Sequence, residues 1–404
     1  MSEWKKVKLG EICEITAGGD KPQVVSNYRT KDCTIPIYSN GIDNEGLYGF
    51  TNKAKNSGNA ITITGRGANV GTVFFRKEPF LPIIRLLTLN PDANFIDARY
   101  LYYLLKGKTF LSTGSAQPQI TVPNIEQYEI EYNPDITTQL RIASILSRYD
   151  TLIENYQKQI KLLEEAAQRL YKEWFVELRF PGHENTKMVD GLPEGWERKK
   201  LGELVTKSIG GGWGKESPQE EYDKEGFVIR GTDISKLRCG NLDDIPFRYH
   251  TESNLKERTL SDGDLIFEVS GGSEKEPVGR MYLITQQILD FYKKDVICAS
   301  FCKKVAFSNK CTSILCYFAM QYCRISGDMK KYEKDSAGNI INFAWTTFIE
   351  DFFVLLPNDE ILEAFYKTAI DIINKQVNLA LQIRLLTEAR DRLLPRLMGG
   401  EMEV

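Results

Sequence analysis

Ile160-Lys-Leu-Leu-Glu-Glu-Ala-Ala-Gln-Arg-Leu170 and Ile383-Arg-Leu-Leu-Thr-Glu-Ala-Arg-Asp-Arg-Leu393 align without a gap. Their offset of 223 residues (383 − 160) also carries Pro134 onto Pro357. Outward from the first copy, apolar side chains recur at Ile142, Leu146, Tyr149, Ile153, Tyr156, Ile160, Leu163, Ala167, Leu170 and Trp174. The steps alternate four and three, which is the seam of a coiled coil. The second copy sets Phe365, Ala369, Ile372, Gln376, Leu379, Ile383, Leu386, Arg390, Leu393 and Leu397 in the same register, broken at Gln376 and Arg390. Asp135 after Pro134, and Asn358-Asp359 after Pro357, supply helix N-caps. A helix of roughly 33 residues at 1.5 Å per residue is about 50 Å long.

A second repeat opens each half. Trp4-Lys-Lys-Val-Lys-Leu-Gly-Glu11 returns as Trp196-Glu-Arg-Lys-Lys-Leu-Gly-Glu203, 192 residues later (196 − 4). The second copy therefore holds 31 more residues (223 − 192) between its opening and its helix. In an order globule–helix–globule–helix, a two-fold relation between repeats makes the helices antiparallel and sets one globule at each end. The outward positions Lys158, Lys161, Glu164, Glu165, Gln168 and Lys172 stay polar, as such a spacer requires. A helix packed only on its own domain explains the stripe, but not its strict heptad spacing over this length.

Ala60-Ile-Thr-Ile-Thr64 and Val70-Gly-Thr-Val-Phe-Phe75 are strand-like runs around Gly65-Arg66-Gly67. Asp264-Leu-Ile-Phe-Glu-Val269 and Val278-Gly-Arg-Met-Tyr-Leu-Ile284 repeat that outline around Ser270-Gly271-Gly272, and short helices are expected at Ala98–Leu105 and Thr312–Cys323. The expected fold is α+β: two mixed, β-rich domains joined by two long antiparallel helices in a coiled coil, with a pseudo-two-fold repeat. The divisions are 1–134 and 196–357 for the domains, 135–180 and 358–404 for the helices, and 181–195 for a Pro/Gly-rich linker. The loops differ between copies: Thr16-Ala-Gly-Gly-Asp-Lys-Pro22 stands against Ser208-Ile-Gly-Gly-Gly-Trp-Gly-Lys215.

At 404 residues the chain is too long for one ordinary core. No run of about 18 apolar residues is present and the opening lacks the apolar core of a signal peptide, so a cytoplasmic protein is expected. Eight irregularly spaced cysteines and only two histidines, His183 and His250, suit buried thiols rather than a metal site or a disulfide framework. The net charge is −3, but residues 1–120 carry 15 Lys and Arg against 10 Asp and Glu, which leaves room for a basic face. Gly65-x-Gly67-x-x-x-Gly71 is one residue too long for a dinucleotide fingerprint. Gly210-Gly-Gly-Trp-Gly214-Lys215 lacks the first glycine and the Ser or Thr of a phosphate loop. No nucleophile elbow or metal dyad is legible, so neither catalysis nor a cofactor is expected on this chain.

The Trp-x4-Leu-Gly-Glu openings, Leu192-Pro-Glu-Gly-Trp196, Tyr171-Lys-Glu-Trp-Phe175 and Arg392-Leu-Leu-Pro-Arg-Leu-Met398 together resemble the DNA specificity subunit of type I restriction–modification systems, over essentially the whole chain. The resemblance implies that the two domains are target-recognition domains, each reading one half of a bipartite, asymmetric site on double-stranded DNA. It further implies that the helices set the spacer and dock two methyltransferase subunits that hold S-adenosylmethionine, with nuclease/translocase subunits joining them. Base edges require forked donors and amides, and phosphates require cations and N–H groups. On that basis Lys21, Asn40, Arg66, Asn69, Arg85, Gln117 and Gln119 are candidates in the first domain, and Trp213, Lys215, Arg230, Thr232, Asp233, Ser270 and Arg280 in the second. The competing function is a two-headed protein–protein scaffold that binds no nucleic acid, which the near-neutral second domain would suit.

Overall fold

The computed structural model describes residues 4–67, 69–110, 119–272, 277–335, 340–402 and 404. It divides into two compact units, Met1–Thr151 with Glu388–Val404, and Leu152–Thr387.

In the first unit, Lys5–Lys8 pairs antiparallel with Glu129–Tyr132. Between these strands lies a four-stranded antiparallel sheet in the order Cys13–Ala17, Leu87–Pro91, Ala60–Ile63, Val73–Arg76. A smaller sheet runs Leu47–Thr51, Ile35–Tyr38, Leu81–Pro82, its last strand joined in parallel. Ala60-Ile-Thr-Ile63 is buried on both faces; Ile61 and Ile63 share a core with Leu87, Leu89, Tyr100 and Leu101. The helix Ala98–Leu105 that covers this core starts where the Asp97 carboxylate accepts from the backbone N–H groups of Arg99 and Tyr100, a cap that contributes about 1 kcal/mol.

The second unit repeats this plan strand for strand. Glu197–Lys200 pairs with Phe353–Leu356. The four-stranded sheet runs Val205–Gly210, Cys302–Phe307, Leu265–Glu268, Met281–Leu283. The smaller one runs Phe247–His250, Lys224–Ile229, Asp295–Cys298, again with the last strand parallel. Its additional residues form the helices Asp233–Arg238, Glu252–Arg258 and Gln286–Tyr292, and a third sheet of Ser270–Gly272, Ile341–Phe343 and Glu333–Asp335.

The long helices are Ile136–Tyr171, which continues into a π turn at Lys172–Val176, and Asp359–Met398. Asp135 caps the first by accepting from the N–H groups of Thr137 and Thr138, and Asn358 caps the second by accepting from that of Ile361. In the second unit, Ile153, Ile160, Leu379, Ala380 and Ile383 form a buried cluster flanked by Tyr156, Leu163 and Leu386. Gln376 donates to the Ile160 carbonyl at 3.4 Å, while Tyr171, further along, meets Phe365, further back, at 6.4 Å between ring centroids. The helices are therefore antiparallel. In the first unit Ile142 and Leu146 share the core with Leu397, and Leu393 packs against it. Arg390, the other break in the stripe, pairs with Asp150 at 2.6 Å.

Tyr149, Tyr156, Leu163, Leu170, Leu386 and Leu393 are half-buried rather than buried. Ile372 is half-buried too, packed against the core of the second unit, and it is the neighbouring Ile373, with Val377, that is fully buried in that core. This helix buries two faces, one on its partner helix and one on its own unit, and a 3.6-residue turn drifts off a 3.5-residue seam. Among the described residues no helix is long and apolar enough to cross a membrane.

Candidate nucleic-acid interface

In each unit the strands end in a cluster of loops. In the first, Asn40 follows the strand Ile35–Tyr38. Its Nδ2 donates to the Ile84 carbonyl at 2.6 Å and its Oδ1 accepts from Gly65 N–H at 2.8 Å. Gly65 O accepts from Ile120 N–H at 2.9 Å, and Arg66 bridges Gln119 antiparallel. Four distant segments thus bring Asn40, Arg66, Arg85 and Gln119 together. Arg66, Asn69 and Arg85 are exposed. Each end of the half-buried Asn40 amide is engaged once, which ties these loops together and leaves a second N–H and a second lone pair. The loop that carries Lys21 joins them, since Gly18 O and Gly19 O accept from Arg85 and Ile84 N–H at 3.1 and 2.8 Å; the Lys21 ammonium lies 4.9 Å from the Tyr48 ring centroid. Gln117 lies outside the described residues.

The second unit reuses these connections with different chemistry. Phe343 N–H donates to Val269 O at 2.8 Å, as Ile120 N–H does to Gly65 O in the first, while Val269 N–H donates directly to Phe301 O at 2.9 Å where Gly65 N–H donates to the Asn40 side chain. One rung before, Thr64 N–H donates to Thr72 O and Glu268 N–H to Arg280 O. The first unit places two threonines there. The second places a buried fork in which Arg280 Nε and Nη2 donate to Glu268 at 2.9 and 2.6 Å. Arg280 is therefore removed from the base-reading candidates, because its guanidinium is buried and committed to Glu268. Gly231 is required above this fork, since a Cβ there would lie 2.3 Å from Glu268 Oε1.

Asp233 is removed as well. It is fully buried and accepts from the backbone N–H, Nε and Nη2 of Arg230 at 2.9, 2.8 and 2.7 Å, anchoring that turn. Arg230 keeps 37 % of its side chain exposed, Thr232 is exposed and Ser270 half-buried. Trp213 and Lys215 gather instead along the edge strand Phe247–His250. The Arg248 guanidinium lies 4.9 Å from the Trp213 ring, and Lys215 pairs by backbone with Tyr249. Glu268 escaped the sequence analysis, although a carboxylate inside Leu265-Ile-Phe-Glu-Val269 is the signal of a buried partner.

The long helices carry a second pattern. Asn155, Gln159, Leu162, Glu165, Ala166 and Arg169 recur at the same offset as Asn378, Gln382, Leu385, Glu388, Ala389 and Arg392, and none of these is buried. Leu162 is 62 % exposed and Leu385 58 %. By contrast, no residue of 136–154 matches its counterpart in 359–377. Packing accounts for identity at Ile160 and Ile383 but not for identity on the solvent side.

Burial pushes the Cys13 and Cys298 thiols up to about 12, so these groups stay protonated. Among the described residues no group of three His, Cys, Asp or Glu could hold a metal ion.

Comparison with known proteins shows what this frame is similar to. Residues 1–165 match the type I restriction modification DNA specificity domain. Over nearly its whole length the chain is similar to type I specificity subunits. It is 27 % identical over 396 residues to the type I restriction enzyme MjaIX specificity subunit of Methanocaldococcus jannaschii, covering 94 % of this chain and 82 % of that one. The HindI specificity subunit of Haemophilus influenzae is 24 % identical over the full length of both. Within the solved structures, the type I S subunit from M. genitalium shares the fold, with a TM-score of 0.62 at 16 % identity over 98 % of this chain and 96 % of that one.

Proposed function

We propose that this chain is the non-catalytic sequence-specificity subunit of a cytoplasmic type I restriction–modification complex. Residues 1–134 and 196–357 are its target-recognition domains, each reading half of a bipartite, asymmetric site on double-stranded DNA. Residues 135–180 and 358–404 are the spacer helices, and 181–195 the linker. The observation that carries this reading is one strand order built twice and closed by loops that differ between the copies. Equal frames with unequal loops suit two different half-sites. Candidates for DNA contact are Lys21, Asn40, Arg66, Asn69, Arg85, Gln117 and Gln119 in the first domain, and Trp213, Lys215, Arg230, Thr232 and Ser270 in the second.

Two methyltransferase subunits, the holders of S-adenosylmethionine, dock on the duplicated outer stripe of the helices. Identical residues outside the buried seam on both helices suit two copies of one partner, and nuclease/translocase subunits complete the assembly. The test is expression with the cognate methyltransferase in a host free of methylation, followed by sequencing of methylated bases. One bipartite motif is expected. Methylation without sequence preference would overturn the proposal.

A further inference from the structure

Ile84 and Phe301 stand out among the exposed apolar side chains. Each lies in the same connection of its unit, between the parallel strand of the small sheet and the second strand of the four-stranded sheet. Ile84 is 52 % exposed and Phe301 64 %. Neither is on a loose loop. Ile84 N–H donates to Gly19 O at 2.8 Å and its carbonyl accepts from Asn40, while the Phe301 carbonyl accepts from Val269 N–H at 2.9 Å.

Ile84 also holds φ at +52°, and Arg85 follows at +58°. A β-branched residue in the left-handed region is a steric outlier, and glycine or asparagine would adopt it at lower cost. Such strain persists where the surroundings over-determine it, and it gathers at binding sites. Here the strained turn turns an isoleucine outward, beside Arg66 and Arg85, where folding gains nothing from it. The same connection in the second unit presents a phenylalanine next to the base of the Ser270 loop.

We propose that Ile84 and Phe301 are specificity-determining residues that contact the C5-methyl groups of thymines, Ile84 in the half-site of the first unit and Phe301 in that of the second. The only apolar group on a base edge in the major groove is the thymine methyl, so a rigidly presented aliphatic or aromatic side chain selects an A·T pair there. Cations next to it suit the flanking phosphates. This inference rests on the chain being a specificity subunit, and it adds residues that hydrogen-bonding chemistry does not nominate.

The test uses the full chain assembled with its methyltransferase partner, on duplexes carrying the methylated motif. Each thymine is replaced in turn by deoxyuridine, which removes one methyl. One position in each half-site is expected to bind about fourfold more weakly, the loss of one buried methyl group. In Ile84→Ala the effect should vanish in the first half-site and persist in the second; Phe301→Ala should do the reverse. Ile84→Asn, which tolerates the left-handed turn, guards against a folding defect, and the untouched half-site is an internal control in every variant. Deoxyuridine scans that are flat, or unchanged in the variants, would overturn the inference while the methylated motif keeps the specificity-subunit reading intact. Absence of any sequence preference would instead remove that reading.

Discussion

Asp150→Ala should destabilise the helix pairing of the first unit by about 3 kcal/mol. Asp150 Oδ1 accepts from Arg390 at 2.6 Å and its Oδ2 accepts from the Tyr103 hydroxyl. The side chains of Arg390 and Asp150 keep only 13 % and 22 % exposure. Removing one partner of a fully buried pair costs about 3–5 kcal/mol. Residual exposure, and the neighbouring Asp391 carboxylate at 2.8 Å, bring this down to about 2 kcal/mol. The unpaired Tyr103 phenol adds about 1 kcal/mol. The companion variant Asp150→Leu with Arg390→Leu completes the apolar stripe that Arg390 interrupts, and should recover most of the loss. A chain of two units does not melt as one, so the assay is amide hydrogen exchange followed by mass spectrometry over Ile142–Asp150 and Leu393–Met398. Protection there should fall about 150-fold in Asp150→Ala. Unchanged protection in the single variant, or a double variant no better than the single, would refute the reasoning.

Three further outcomes follow from the helices and loops. Removing one heptad from each long helix together, residues 153–159 and 380–386, should shorten the spacer between the half-sites by about 3 base pairs, since seven residues span about 10.5 Å; sequencing of methylated DNA reads this, and changed half-sites would contradict it. Leu162→Glu and Leu385→Glu, at exposed positions, should each remove one of the two methyltransferase subunits, and together both, as seen in the mass of the complex; full assembly in the double variant would sink the duplicated docking surface. Arg66→Ala should weaken binding at the first half-site alone by about 1–3 kcal/mol if it contacts a base, and equal loss at both halves in a binding assay would refute domain-by-domain recognition.

The frame was legible because its determinants are local. Heptad spacing, capping residues that follow a proline and short strand-like runs each report the backbone directly, and Ala98–Leu105 is helical over the span expected of it. The second helix shows the limit: sequence period placed Ile372 on the seam, but contact with its own unit turns Ile373 inward. The candidate interface was read less well, for a physical reason. Arg280 and Arg66 are the same residue type in corresponding hairpins, yet one is buried on Glu268 and the other exposed. Which arginine faces solvent depends on a partner twelve residues away across a rung, and spacing along the chain does not encode it. Ile84 was missed because its backbone conformation, not its chemistry, makes it unusual.

The short ladders Lys5–Lys8 with Glu129–Tyr132, and Glu197–Lys200 with Phe353–Leu356, carry a consequence for evolvability. Each brings the entry and exit of everything between its strands side by side, about 5 Å apart. An insert whose ends fit that four-residue splice, and which keeps the apolar face on which the long helices pack, can therefore be exchanged as a cassette. Recombination at those junctions would vary the loops by shuffling, with no need to reinvent the scaffold.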